Sequence, residues 1–326
     1  RLWGGLGRNK RTPAGFYFVQ EAYGMTYNKP ALSLDQQIEH LLSCGMILPD
    51  PAQTKRDLAH KNYYRLRAYW LPFEVGRPGD KATALKPDTT WTKIMALYEF
   101  DRLLRERLMD AIQRLEISAR TGFAYFLAIK YGPHAHENPE LFYNAEYHAK
   151  LLEKLTVDYN ESQEVFAAHH RGKYPYLKTP PIWAACELMT LGQLSRWYGA
   201  LKNTADQKLI AKQYGLHETL LRSFLHHLTV VRNICAHHGR VWNRTMVVKM
   251  MLPSDRRITD LFNHESPDRI YNTLVMLALI QCAIDPACTW AKELKTFIAA
   301  NPAINLTAMG FPADWQERWE RGIVSG

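Results

Sequence analysis

Apolar side chains recur every three to four residues along most of this chain, a spacing that indicates amphipathic helices. The longest such run covers residues 91–131. Its apolar stripe consists of Ile94, Leu97, Leu104, Leu108, Ile112, Leu115 and Ala119. Further helices are predicted over residues 33–45, from about 51, and over 145–170, 182–201, 205–214, 217–238 and 268–284. Since no stretch alternates apolar and polar residues over a useful strand length, the pattern predicts an all-α helical bundle.

Capping residues and composition set the boundaries of these elements. Ser33 can cap a helix that Gly45 ends, and Pro180 and Pro181 stand directly before a helix start, where proline is favoured.

Composition also divides the chain into parts. We predict a basic flexible tail over residues 1–28, an N-terminal helical region over 29–90 that ends in a loop from 76, a main bundle over 91–300, and a tail over 301–326 that packs on this bundle.

Charge and composition indicate what kind of partner and which cellular compartment suit this chain. The formal net charge is +9 and the pI about 9.2, which favours a polyanionic partner such as nucleic acid. No run approaches the roughly 18 to 20 apolar residues of a membrane span. The opening stretch RLWGGLGRNKRTPAG lacks the apolar core of a signal peptide. Because the cysteines show no disulfide-framework spacing, we expect a cytoplasmic protein with free thiols and no membrane partner.

The stretch TVVRNICAHHGRVWNR, residues 229–244, carries the most informative polar pattern. On a helix with ~100° per residue, one polar stripe contains Arg222, His226, Thr229, Asn233, His237 and, if the helix continues past Gly239, Arg240. Arg232 lies at the edge of this stripe and can reach across the small Ala236 to His237. His227 and His238 fall on the apolar side. The helical geometry therefore favours His237 over His238 as the exposed imidazole.

An arginine five residues before a histidine is not specific by itself, since Arg222 and His227 have the same spacing. Two interpretations stay open: Arg232 and His237 act together on a phosphate, or the stripe is a solvated helix face. A zinc site at Cys235 is disfavoured because a helix scatters the neighbouring histidines and no Cys-x-x-Cys pair exists. The chain also lacks a phosphate-binding glycine loop and a Gly-x-Ser-x-Gly elbow. We expect neither a metal nor a cofactor.

Two further clusters carry candidate residues. Glu116 and Arg120 lie one turn apart, and they either orient the side chains of the Arg232 stretch or form a plain ion pair. The stretch NYYRLRAYW interleaves Arg65 and Arg67 with aromatic residues, so it could stack on bases and hold phosphates. The alternative is a packing helix whose tyrosines and tryptophan are buried.

These features together resemble a known family. The segment VRNICAHHGRVWNR is similar to the Arg-Asn-x-x-x-His motif of the HEPN ribonuclease superfamily, and in particular to the AbiD/AbiF group of bacterial abortive-infection (Abi) proteins. Other stretches match that group in the same order: KPALSLDQQIEHLLSCGMIL, NYYRLRAYWLPF, LYEFDRLLRERLMDAIQRLEISAR, PPIWAACELMTLGQLSRWY and MGFPADW. The resemblance covers about residues 29–316.

The resemblance implies a HEPN-like bundle over residues 91–300 and a metal-independent endoribonuclease that serves phage defence. Arg232 would be the motif arginine, Asn233 the polar residue after it and His237 the motif histidine, with His238 as the alternative. We predict RNA contacts from Arg65, Arg67, Arg222, His226, Arg240 and Arg244. Members of the superfamily dimerise so that two motifs form one cleft, and some related systems are restrained by a small RNA.

In such a site a neutral imidazole removes the proton of a ribose 2′-OH, and a guanidinium stabilises the charge that develops on the phosphate. Two other function classes stay open on the residues alone. One is an RNA-binding or sensing module whose arginine and histidine clamp phosphate without cleaving it. The other is a helical protein-interaction scaffold.

Overall fold

A computed structural model gives positions for residues 30–76 and 84–324. The predicted flexible tail over 1–28 lies outside the described residues, as does the 77–83 part of the predicted loop. The helices are α1 (Leu34–Ser43), α2 (Pro51–His60), α3 (Tyr63–Trp70), α4 (Trp91–Tyr131), α5 (Ala145–Glu161), α6 (Val165–Lys173), α7 (Ile182–Ala185), α8 (Leu191–Ala200), α9 (Thr204–Lys212), α10 (Glu218–Ala236), α11 (Ile270–Ile284), α12 (Trp290–Ala299) and α13 (Trp315–Trp319). Two strands, β1 (Glu74–Val75) and β2 (Ala84–Leu85), pair antiparallel. The predicted all-α bundle is confirmed.

The long helix α4 is the axis of the bundle. The Thr90 hydroxyl caps its first turn by accepting from the Lys93 amide, and Gly132, with φ of +91°, ends it. Its predicted apolar stripe is buried along its whole length and packs against α10, α11 and α7. Gln281 of the buried helix α11 donates to the Ala111 carbonyl at 3.0 Å, so this polar side chain is satisfied inside the core.

The N-terminal helices attach to the start of α4. Ser33 and Gln36 form a capping box at α1, and Gly45, with φ of +88°, follows the helix end as predicted. The Trp91 indole donates to the buried Asp57 carboxylate at 3.0 Å, which ties α2 to α4. Helix α3 contains the predicted aromatic and basic stretch, and Tyr69 is buried in it against α4.

Two predicted helices are broken in the structure. The single helix expected over 145–170 divides into α5 and α6, because Ser162 is extended and its hydroxyl accepts from the Glu164 amide at 3.2 Å. The helix expected over 182–201 stops at Ala185, and α8 starts separately. The start of α8 is fixed by a capping box between Thr190 and Gln193. This pairing gives hydrogen-bond partners to backbone amides that would otherwise have none.

The segment after α12 packs back onto the bundle. Trp315 and Trp319 are buried, and the Trp319 indole donates to the Ala291 carbonyl at 3.2 Å. Phe297 of α12 stacks on Phe100 of α4 with ring centroids 5.0 Å apart.

Among the helices within 30–76 and 84–324, none is both long enough and apolar enough to traverse a lipid bilayer.

We predict that acid destabilises the fold through His227. This ring is buried, with Nδ1 donating to the Val248 carbonyl at 2.6 Å and Nε2 accepting from the Thr273 hydroxyl at 2.8 Å. Burial lowers the pKa of His227 below its ordinary 6.5. Below pH 6.5 this histidine binds a proton in the unfolded chain but stays neutral in the folded protein. The free energy of unfolding therefore falls as the pH drops from 6.5 toward the lower pKa of the folded state.

Urea denaturation at pH 7 and at about pH 5.5 measures this loss. The difference between the two pH values should be smaller in His227→Gln than in the wild type, which isolates this ring from other histidines. Equal pH dependence in the two proteins would contradict the assignment.

Candidate functional site

The polar stripe predicted on α10 is present. Arg222, His226, Asn233 and His237 are exposed along one side of the helix, while Arg232 is half-buried at its edge. The opposite face is core, and its buried members are Leu221, Phe224, Leu225, Leu228, Val231 and Cys235. The amphipathic pattern that folds α10 onto α4 therefore also aligns the polar side chains on its outer side.

The helix ends within the predicted motif. His237 is the C-cap, the His238 amide donates to the Cys235 carbonyl at 3.0 Å, and the Gly239 amide donates to the Ile234 carbonyl at 2.7 Å. This pair of bonds is a Schellman motif, with His238 in the left-handed position at φ of +56°.

The expectation that His238 faces the core is wrong, because a helical wheel does not apply after the helix has ended. The left-handed turn brings the His238 side chain to the surface, so both His237 and His238 are exposed. Arg240 likewise lies beyond the helix and does not extend the stripe. Geometry alone thus leaves either imidazole available to a ligand.

His238→Gly should raise the free energy of unfolding by roughly 0.5 to 1 kcal/mol. A side chain at φ of +56° costs conformational energy that glycine avoids, while the greater freedom of glycine in the unfolded chain offsets part of the gain. Urea denaturation measures the change, with His238→Ala as the control that keeps a Cβ. A lower stability for the glycine variant would show that the imidazole makes stabilising contacts.

Helix α8 lies antiparallel to α10 at close range. A Cβ on Gly192 would lie 3.1 Å from the Thr229 methyl group, and one on Gly199 would lie 3.6 Å from the Arg222 Cδ. The two glycines are two turns apart on the face of α8 that meets α10. Because neither carries a side chain, α8 can approach the polar stripe directly.

A pocket of about 400 Å³ opens between these helices. It is lined by Thr190, Leu191, Gly192, Ser195, Arg196, His226, Thr229, Arg232 and Asn233. Within residues 30–76 and 84–324, the guanidinium groups of Arg196, Arg222 and Arg232 make no hydrogen bond or ion pair. Unpaired positive charge therefore lines the pocket. His237 lies at the C-terminal end of α10, one helical turn beyond Asn233.

Arg196 was not predicted as a site residue. It follows Gly192 by one turn of α8, so its sequence spacing places it on the same face as that glycine. The sequence spacing does not show which other helix packs against this face. In the structure the face packs against α10, so Arg196 and Arg232 line the same pocket.

The turn that follows the motif is held by a buried carboxylate. Asp101 of α4 accepts from the Val241 amide at 3.1 Å and the Trp242 amide at 2.6 Å. It also accepts from the Tyr69 hydroxyl at 2.7 Å and from the Arg105 guanidinium. Burial raises the pKa of Asp101, and the four donors offset part of the cost of a charge at this depth.

Helix α3 contacts the same turn. Arg65 donates to the His238 carbonyl at 2.5 Å, and Arg240 donates to the Ala68 carbonyl at 2.8 Å. Two of the predicted RNA contacts are thus used to join the N-terminal helices to the motif turn. Arg244 donates to the Arg240 carbonyl at 3.3 Å, which stabilises the turn from within.

The remaining predicted residues lie away from the pocket lining. Arg67 pairs with Glu74 at 3.1 Å, so its charge is neutralised within the N-terminal region. Glu116 and Arg120 form an ion pair at 2.6 Å, and Arg120 also donates to the Met189 carbonyl at 2.6 Å. This pair connects α4 to the segment before α8.

Comparison with known proteins yields one family match. The family described as Abi-like protein matches residues 56–243, more than half of the chain. The matched range begins in α2 and ends just after the motif turn, so it includes both walls of the pocket. No curated protein and no solved structure matches the chain.

Proposed function

The chain belongs to the Abi-like protein family, and from this premise we propose that it is an endoribonuclease of a bacterial abortive-infection system. In this proposal it is of the HEPN type and of the AbiD/AbiF group, and it cleaves RNA without a metal ion in the reaction. The observation that carries the proposal is the unpaired Arg232 and the exposed His237 on one side of α10, beside a basic pocket.

The chemistry follows from what RNA supplies. The ribose 2′-OH is a nucleophile next to the phosphate, and histidine is the side chain whose charge changes between about pH 5 and 8. His237 takes the 2′-OH proton as the 2′ oxygen attacks phosphorus, and the 5′ oxygen leaves as a 5′-OH after protonation. The other product carries a 2′,3′-cyclic phosphate. Arg232 stabilises the phosphate oxygens with its permanently charged, fork-shaped guanidinium.

The pocket has the charge to hold the RNA strand at and beside the scissile phosphate. Arg196 and Arg232 approach it from two helices, His226 lines it, and no acidic side chain lies among its lining residues. A guanidinium without an internal partner is free to form bidentate hydrogen bonds with a phosphate. We place Arg196, Arg222 and His226 as contacts that hold the RNA while Arg232, Asn233 and His237 act on the scissile bond.

A base and an acid act on opposite sides of the scissile bond, and in this proposal one motif supplies the groups on one side only. We propose that two copies pair with two-fold symmetry, so that each contributes one motif to a shared cleft. A mixed dimer of one wild-type and one His237→Ala subunit should then retain much less than half of the wild-type activity. Half activity would indicate two independent sites.

The test is cleavage of end-labelled single-stranded RNA by the purified full chain in EDTA. We expect fragments that end in a 2′,3′-cyclic phosphate, and no cleavage of the same sequence made with 2′-deoxyribose. Salt-sensitive binding without any cleavage would favour the alternative function, a non-catalytic RNA-binding or sensing module that uses the same helix face. A lack of both binding and cleavage would leave a protein-interaction scaffold.

A further inference from the structure

A cluster of metal-ligating side chains lies just beyond the C-terminal end of α4. His134, His136 and Glu137 each offer one ligand atom, and these three atoms lie within 4.8 Å of one another. The His134 Nδ1 atom is 3.4 Å from the Glu137 Oε1 atom. Two ligands of a tetrahedral zinc ion at ~2.0 to 2.1 Å are separated by about 3.4 Å, so this pair already has the spacing of bound ligands.

Two nitrogen atoms in this cluster are buried and unsatisfied. The Nδ1 atoms of His134 and His136 have no hydrogen-bond partner, and the His136 ring is fully buried. A buried polar atom without a partner is costly, so such an atom calls for an explanation. Both orphaned nitrogens belong to the two histidines of the cluster, and the His134 Nδ1 atom lies beside the Glu137 carboxylate.

The hydrogen bonds around Thr179 fix the protonation of His136. The Thr179 hydroxyl donates to the Glu137 carboxylate, which can only accept. The same hydroxyl oxygen lies 2.7 Å from the His136 Nε2 atom and has no second proton, so it accepts there and Nε2 carries the hydrogen. The His136 Nδ1 atom therefore carries a bare lone pair, which is the state that a metal requires.

We propose that this cluster binds a zinc ion through His134 Nδ1, His136 Nδ1 and the Glu137 carboxylate, with solvent as the fourth ligand. Two imidazoles and a carboxylate are a donor set that suits zinc. The hydrogen bond from His136 Nε2 to Thr179 orients the ring in the way that outer partners orient metal-bound histidines.

The proposed ion would be a structural brace. The His148 ring of α5 donates to the His136 carbonyl at 2.8 Å, and the Ile182 amide at the start of α7 donates to the Pro133 carbonyl at 2.8 Å. The cluster thus sits where α4, α5 and α7 meet. At ~1.5 Å per residue along α4, it lies roughly 45 Å from Asp101 and the motif turn, so the ion takes no part in the proposed cleavage.

The test is the metal content of the full chain, purified without a histidine tag, equilibrated with zinc and then dialysed. We expect about one zinc ion per chain in the wild type. Zinc should be lost in His134→Gln and Glu137→Gln and retained in the exposed controls His169→Gln and Glu140→Gln. Zinc should also raise the Tm of the wild type and of both controls by several degrees, but not that of the two site variants.

X-ray absorption at the zinc edge of the wild type gives an answer that does not depend on any variant folding. Nitrogen and oxygen ligands alone support the proposal. Sulfur in the coordination shell would place the ion on a cysteine and overturn it, as would a wild type that holds no zinc. Because the brace is remote from α10, RNA cleavage at 25 °C is expected to survive zinc removal, which separates a failure of this proposal from a failure of the nuclease.

Discussion

Arg232→Ala and His237→Ala should each slow RNA cleavage at least ~10²-fold, which is the lower end of what one positioned base or one charge-stabilising group contributes. Arg232→Lys should restore little of this loss, since lysine keeps the charge but not the bidentate fork. The half-buried Arg232 and the exposed His237 side chains make no hydrogen bond or ion pair within the described residues, so the variants should unfold close to the urea concentration of the wild type.

Initial rates on labelled RNA measure the effect, and growth of bacteria that express each protein reports it in the cell. His60→Ala, at the exposed end of α2, is the matched control for losing an imidazole. If His238→Ala abolishes cleavage and His237→Ala does not, the base is His238. If neither substitution slows the reaction, the nuclease proposal is refuted.

Asp101→Ala should lower the free energy of unfolding by about 3 to 5 kcal/mol, the usual loss when one partner of a buried ion pair is removed. It would leave the buried Arg105 guanidinium and the Val241 and Trp242 amides without their acceptor. Asp110→Ala is the matched control on the same helix, because Asp110 pairs with Arg114 at the surface. The loss there should be below about 1 kcal/mol.

Urea denaturation of the two variants measures both values. Asp101→Ala should also slow RNA cleavage at temperatures where it stays folded, since the turn that holds His237 and His238 loses its anchor on α4. A loss below about 1 kcal/mol for Asp101→Ala would show that water replaces the carboxylate and that the turn needs no fixed acceptor.

The periodicity of apolar residues was sufficient to predict the helices that build the core. The bounds of α4 follow from an apolar stripe, a capping threonine and a terminal glycine, all of which are local. The break at Thr190 was missed because apolar residues recur on both sides of it, whereas the break at Ser162 coincides with the polar run 160–164. The side-chain caps that interrupt them are local too, and the Thr-x-x-Gln signature at Thr190 was readable in the sequence.

The site was predictable only in part. Arg232, Asn233 and His237 share one helix, so their arrangement follows from helical geometry. The left-handed turn at His238 was not foreseen, since histidine occupies a position where glycine is usual. Arg196 and Asp101 reach the motif from other helices, and such contacts depend on how the helices pack, which local sequence patterns do not specify.

The groove between α8 and α10 depends on the absence of side chains at Gly192 and Gly199 of α8. A Cβ on Gly192 would lie 3.1 Å from the Thr229 methyl group, so alanine at this position would require the neighbouring atoms to shift by a few tenths of an ångström. The spacing between α8 and α10 therefore depends on glycine at this position, and so would the proposed binding of a phosphate between Arg196 and Arg232.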